Sequence, residues 1–245
     1  MKRAWYLGHS ADAVGDRAIL VGDPGRVRRI AKHLGDATLL PVTRGLETVT
    51  GHFAGLRITV AAFGMGAPIA TIVLHELADL GVTRFLRIGT AVHFSPATPG
   101  DLMISSDAIG FDGTSSAYVP GNGPYPADPA LVAALRMASM AQGHVPRTGR
   151  YASYDAFYRD VFGIDDEGRN RAEINRRKLI RKSILAVDME TSALLAAAQA
   201  LNVTCATVCL GTVDALTQES LGPDETARGE QVLFKTALDG LVGFD

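Results

Sequence analysis

The chain has 245 residues, 47% of them hydrophobic, with 24 lysines and arginines against 26 aspartates and glutamates and a formal net charge of −2. That composition provides for one sizeable α/β core and lacks the basic footprint that a nucleic-acid partner requires. No uninterrupted apolar stretch is long enough to span a membrane, and the start, Met1-Lys2-Arg3-Ala4-Trp5-Tyr6-Leu7-Gly8-His9, has no signal-peptide apolar region, so a cytoplasmic protein acting on a small molecule is expected.

In chain order, a first strand is expected over Ala18–Val21, followed by the turn Gly22-Asp23-Pro24-Gly25-Arg26 and a helix over Val27–Leu34. After Thr43-Arg44-Gly45 comes a strand over Arg57–Phe63, the turn Gly64-Met65-Gly66, and a helix over Pro68–Leu80 with proline in its first turn. The strand Arg84–Ile88 runs into Gly89-Thr90, and a further strand is expected over Asp101–Ile104. Phe111 to Asp128, rich in Gly, Pro and Ser, reads as a surface segment, and Pro129–Gln142 as a helix. Tyr158 to Lys182 is dense in charge and reads as a second surface segment, within which Asp165–Arg181 could be a solvated helix. The strand Ile184–Val187 ends at Asp188-Met189-Glu190 and opens a helix over Thr191–Leu201; Thr204–Leu210 is the last strand and Gln231–Val242 the last helix. Strands alternate with helices as in an α/β layered sheet, and no linker divides residues 1–245, which read as one domain.

Arg26, Arg44 and Arg87 each stand beside a glycine turn just beyond a strand. Guanidinium groups fork onto phosphate oxygens, and glycine lets main-chain N–H groups approach the same oxygens, so the pattern suggests a doubly charged anion. Gly64-Met65-Gly66 lacks the third glycine of a dinucleotide fingerprint, and an oxidoreductase is correspondingly disfavoured. Asp188 and Glu190 place two carboxylates at the edge where open α/β sheets bind ligands; paired carboxylates suit vicinal hydroxyls, although Glu190 could instead complement a helix N-terminus. Asp214 stands at the comparable end of the last strand, where a turn or helix cap is the alternative role. Cys205 and Cys209 read as buried reduced thiols. With no histidine near them in sequence, and with His75-Glu76-Leu77-Ala78-Asp79 lacking the metalloprotease's second histidine, no metal site is expected.

These features converge on one family. The chain resembles the nucleoside phosphorylase-I superfamily, which contains uridine phosphorylases and hexameric-type purine nucleoside phosphorylases. The resemblance covers nearly the whole chain. It rests on Gly22-Asp23-Pro24-Gly25-Arg26, Gly64-Met65-Gly66-Ala67-Pro68, Phe85-Leu86-Arg87-Ile88-Gly89-Thr90, Ala152-Ser153-Tyr154-Asp155-Ala156-Phe157-Tyr158, Val187-Asp188-Met189-Glu190 and Val213-Asp214, in the family's order. The resemblance implies a single-domain αβα sandwich with a mixed central sheet, assembled as dimers and commonly as a hexamer. It implies that Gly22, Arg26, Arg87 and Thr90 hold inorganic phosphate as co-substrate, with Arg44 added from a neighbouring subunit and no further cofactor. Met189 and Glu190 then hold the ribose with Asp188 beside them, Phe157 lies along the base, Asp214 is the general acid of a purine enzyme, and Arg228 assists it.

The chain departs from the family at two places. Tyr6 stands where an N-terminal histidine usually reaches the sugar, with His9 three residues on, so either is a candidate for that contact. The Gln-x-Arg signature of uracil recognition is absent after Tyr158, whereas Thr217-Gln218-Glu219 is like the uridine branch. Phosphorolysis of a purine (deoxy)ribonucleoside is the expected activity. A uridine phosphorylase, a nucleosidase using water and a non-catalytic nucleoside-binding protein are its alternatives.

Overall fold

The structure is a computed structural model and describes residues 2–244. Its organising strand is β5 (Arg84–His93), which three different strands flank. Along one edge β1 (Arg17–Val21) pairs in parallel with Arg84–Ile88, and β9 (Ile184–Asp188) then pairs antiparallel with Val92 and His93. Along the other edge β10 (Thr204–Asp214) runs parallel from Arg84 to His93. The edge residues 89–91, between the end of β1 and the start of β9, are left without a strand partner on that side.

Outward from β1 lie β4 (Leu56–Ala62), β3 (Thr48–Phe53) and β2 (Gly35–Leu39), the last two antiparallel. On the far side β9 pairs with β8 (Arg147–Tyr154), β8 with β6 (Leu102–Phe111), and β6 with β10, while β7 (Tyr125–Pro126) hangs on β6. Since β10 also pairs with β5, the strands β5, β9, β8, β6 and β10 close into a ring at one end of the mixed ten-stranded sheet.

Helices flank the sheet in two groups. The helices α2 (Ala67–Asp79), α3 (Ser115–Tyr118) and α6 (Thr191–Leu201) pack together, as do α4 (Pro129–Ala141) and α7 (Pro223–Val242). α1 (Pro24–Ala31) lies against β1, β3 and β4. Pro24 and Pro129 open their helices where a missing N–H costs nothing, and Asp23 and Asp128 cap the same ends by accepting from main-chain N–H groups. α6 is buried on nearly all sides, which its Ala- and Leu-rich sequence permits. The expected solvated helix exists as α5 (Asp166–Arg181), with Asp165 accepting from Gly168 N–H and Glu173 bridging Arg176 and Arg177.

Four strands lack a clear sequence signal. β2 is exposed at every position, β7 has two residues, and β3 and β8 mix polar with apolar residues. β5, β6 and β10 run beyond their expected ends, through Gly89, Gly110 and Gly211, and α7 starts at Pro223 rather than Gln231. The segment 111–128 holds α3 and β7. Cys205 and Cys209 are free and buried, and burial pushes their thiols up to about 12 and about 11 respectively. Among the described residues no helix is long and apolar enough to cross a membrane, and no cluster of His, Cys, Asp and Glu is placed to hold a metal ion.

Candidate active site

A cavity of about 540 Å³ opens where β5 is unpaired, bordered by Gly89, Thr90 and Ala91. Gly22, at the end of β1, forms one rim. A Cβ there would stand 2.9 Å from the Gly64 carbonyl oxygen, so glycine is what lets the two turns meet. From the first turn of α1, Arg26 turns inward and donates through Nε to Glu230 Oε1 of α7 at 2.8 Å. Arg29 shares that carboxylate at 3.2 Å and reaches Asp23 at 2.8 Å.

Arg87 rises from β5 almost fully buried. Its Nη2 donates to Glu190 Oε2 at 2.5 Å and its Nη1 lies 3.1 Å from Asp188 Oδ2. Burial opposes its charge, but Asp188 and Glu190 outweigh burial and hold the guanidinium well above its ordinary range. A Cβ on Gly89 would come within 3.1 Å of the same guanidinium, so glycine leaves room for the side chain to fold back over the strand.

The two carboxylates differ in what they have left to offer. Asp188 accepts from Ser153 Oγ at 2.7 Å, from the main-chain N–H groups of Glu190 and Thr191, and from the Thr191 hydroxyl, in addition to Arg87. It is Asp188, rather than Glu190, that serves the N-terminus of α6, and Glu190 makes no cap bond there. Glu190 accepts from Gly66 N–H at 2.8 Å and from Arg87, keeping acceptor capacity toward the cavity. Met189 borders the cavity between them.

Phe157 and Phe162 form an aromatic wall, with ring centroids 5.4 Å apart. Phe157 precedes and Phe162 closes a π-helical turn over Tyr158–Phe162, which is followed by Gly163 in the left-handed region (φ 70°). Such turns are commonly found at functional sites. Val92, Val187 and Val213 complete an apolar surface facing the rings.

Asp214 lies beside this surface, next to Val213, but does not itself border the cavity. Its Oδ1 accepts from Thr217 N–H at 2.8 Å and Leu216 N–H at 2.7 Å, and these bonds hold the carboxyl below its usual range. The turn-cap role is therefore realised. Its Oδ2 lies 3.9 Å from Nδ1 of His93.

Arg228 is not brought to Asp214. On α7, Gly229 packs against Leu210 and Glu230 faces inward, which leaves Arg228 on the outer side, bordering a separate groove with Pro99 and His144. Tyr6, His9 and Arg44 also lie apart from the cavity. The exposed Arg44, at φ 55°, sets its guanidinium carbon 4.9 Å from the centre of the Tyr6 ring. Glu76 of α2 anchors this segment by accepting from Tyr6 N–H at 2.6 Å and Leu7 N–H at 2.8 Å. His9 is buried, its Nε2 has no partner among the described residues, and burial lowers its pKa. Thus Gly22, Arg26, Thr90, Arg87, Phe157, Asp188, Met189 and Glu190 come together, whereas Tyr6, His9, Arg44, Asp214 and Arg228 do not border the same space. Sequence reasoning gave no role to Phe162, Val213, His93 or Glu230. Phe162 carries a signal as an aromatic near Phe157, but nothing local marks Glu230 as the partner of Arg26.

A family model described as the phosphorylase superfamily matches residues 16–235, which include every residue bordering the cavity. The chain belongs to that superfamily. It is similar to a uridine phosphorylase from Haemophilus influenzae, with 33% identity over 216 residues, 86% of this chain and 85% of the relative. It is similar to a guanosine phosphorylase from Halorubrum lacusprofundi, with 30% identity over 204 residues, 82% and 78% of the two chains. With a uridine phosphorylase from Thermococcus kodakarensis the identity is 36% over 154 residues, 61% of this chain and 56% of the relative. These relatives are nucleoside phosphorylases, and this superfamily member is a pentosyltransferase of that family.

Proposed function

We propose that the protein catalyses phosphorolysis of (deoxy)ribonucleosides, with purine nucleosides as the first substrate class, yielding a free base and a (deoxy)ribose 1-phosphate. The observation that carries this reading is that two nearly buried guanidinium groups, Arg26 and Arg87, border the same cavity as the carboxylate of Glu190. A nucleosidase that uses water needs no such anion clamp. Gly22, Arg26, Arg87 and Thr90 hold inorganic phosphate as co-substrate, Glu190 and Met189 hold the sugar, and Phe157 with Phe162 faces the base.

A phosphate oxygen bonds to C1′ as the bond from C1′ to the base breaks, and the electron pair leaves with the base. Phosphate held against the oxocarbenium-like carbon supplies proximity and charge complementarity. Asp214 delivers a proton toward N7 of the departing purine. Arg44, together with either Tyr6 or His9, lies outside the cavity of its own chain and serves the cavity of a second copy, which makes a dimer the working unit and a hexamer of three dimers its larger form.

Uridine is the second reading. It is favoured by two of the relatives' names and by Gln218 of Thr217-Gln218-Glu219, whose side-chain amide reaches the Phe162 carbonyl at 3.4 Å beside the aromatic wall. Base release from inosine, adenosine, guanosine, uridine and thymidine, each with and without phosphate, tests both. Phosphate-dependent cleavage of purine nucleosides is expected. Cleavage confined to pyrimidines would move the enzyme to the uridine reading, and a rate indifferent to phosphate would refute phosphorolysis.

A further inference from the structure

His93 closes β5 in register with Asp214 on β10, and it is 1% exposed. Among the described residues neither of its ring nitrogens has a hydrogen-bond partner, yet Nδ1 lies 3.9 Å from Asp214 Oδ2. A buried imidazole without partners costs free energy that a leucine in the same space would not. Its surroundings offer little else. A Cβ on Gly211 would meet its ring at 3.3 Å, so glycine leaves room for it there, and Ala186 of β9 is its other strand partner. Asp214, its register partner on β10, presents a carboxylate oxygen to it.

Asp214 has a matching deficiency. Its Oδ1 is occupied by two main-chain N–H groups, so the carboxyl is held ionised and would be a poor proton donor on its own at neutral pH. Its Oδ2 takes no main-chain donor and faces the imidazole, a group able to hold and pass a proton.

We propose that His93 and Asp214 act as one proton-holding pair, with His93 the store that recharges Asp214 and Asp214 the group that meets the base. This rests on the reading of Asp214 as the acid. In the reaction, the imidazolium of His93 passes its Nδ1 proton to the carboxylate Oδ2 of Asp214 across a gap that a side-chain rotation closes, Asp214 gives that proton to the leaving base as the C1′ bond breaks, and the neutral imidazole regains a proton from solvent before the next turnover. His93 acts through Asp214 and is a positioning residue.

The test compares the pH profiles of kcat for the parent, His93→Leu, His93→Gln and Asp214→Asn, with nucleoside and phosphate both saturating. The parent should lose kcat as pH rises and the pair gives up its shared proton. Both His93 variants should lose that limb, with kcat down about ten-fold or more and both KM values little changed. The thermal midpoint of His93→Leu should equal or exceed the parent's, which separates the effect from damage to the fold. If His93→Leu does not fold, His93→Gln carries the comparison, because its amide fills similar space without holding a proton. Parent-like profiles in the His93 variants together with an inactive Asp214→Asn would overturn the role of His93 alone. Full activity in Asp214→Asn would overturn the acid reading and this inference with it.

Discussion

Arg26 and Glu230, 204 residues apart in sequence, meet at 2.8 Å, with both side chains about nine-tenths buried. The guanidinium available to a phosphate is thus already engaged by a carboxylate of α7, which Arg29 shares. Removing that negative charge should strengthen phosphate binding and weaken the empty protein. For Glu230→Gln the phosphate KM is expected to fall about five-fold, roughly 1 kcal/mol, while unfolding in phosphate-free buffer becomes easier by about 1–2 kcal/mol. Phosphate titrations and urea unfolding with and without phosphate measure both, and an unchanged KM would show that Glu230 does not compete for Arg26.

The two carboxylates of Asp188-Met189-Glu190 should separate by assay. Asp188 spends its acceptors on Ser153, Thr191 and Arg87, so Asp188→Asn should cost about 1–3 kcal/mol of stability. Glu190 retains acceptor capacity toward the cavity, so Glu190→Gln should depress kcat/KM for the nucleoside more than Asp188→Asn does. The reverse order in kcat/KM would assign the sugar to Asp188.

His9 bears on pH. Burial lowers its folded pKa below the usual 6.5, so below that pH the unfolded chain binds more protons than the folded one. The stability advantage of neutral His9 is complete above about pH 6.5 and is lost as pH falls toward the lowered value. Thermal midpoints from pH 7.5 to pH 5 should decline less steeply in His9→Gln than in the parent. Parallel curves would mean that His9 does not drive the decline.

Phe157 supplies one face of the aromatic wall, and removing its ring leaves Phe162 without its neighbour at 5.4 Å. Phe157→Ala is expected to raise the nucleoside KM about ten-fold, close to 1.4 kcal/mol, with the phosphate KM nearly unmoved. A matching rise in both constants would indicate a collapsed loop rather than lost base stacking.

The glycine turns, the arginines and the alternation of strands and helices were legible because each depends on local chemistry. Gly22 and Gly89 are required by close approaches that their motifs announce. The ring of strands was not legible. Whether β10 folds back to meet β5 as well as β6 depends on the curvature of the whole sheet, and β8, which mixes polar with apolar residues, carries no clear strand signal. Arg228 shows the limit of spacing. Its distance from Asp214 in sequence fits an assisting role, but the helical face is fixed by Gly229 against Leu210 and Glu230 against Arg26. Asp188 shows a related limit, since its place beside Glu190 suggests a shared task and only its hydrogen bonds reveal a different one.

The interrupted edge of β5 also makes an internal reporter. Arg87 and Ile88 are bonded to strands on both sides, so their amide protons should exchange with solvent only through large-scale opening. Gly89 to Ala91 have a strand on one side and the cavity on the other. Hydrogen–deuterium exchange at the amides of this stretch that point into the gap would slow when a ligand fills it, recording occupancy in an enzyme that is not turning over and with a ligand that carries no chromophore.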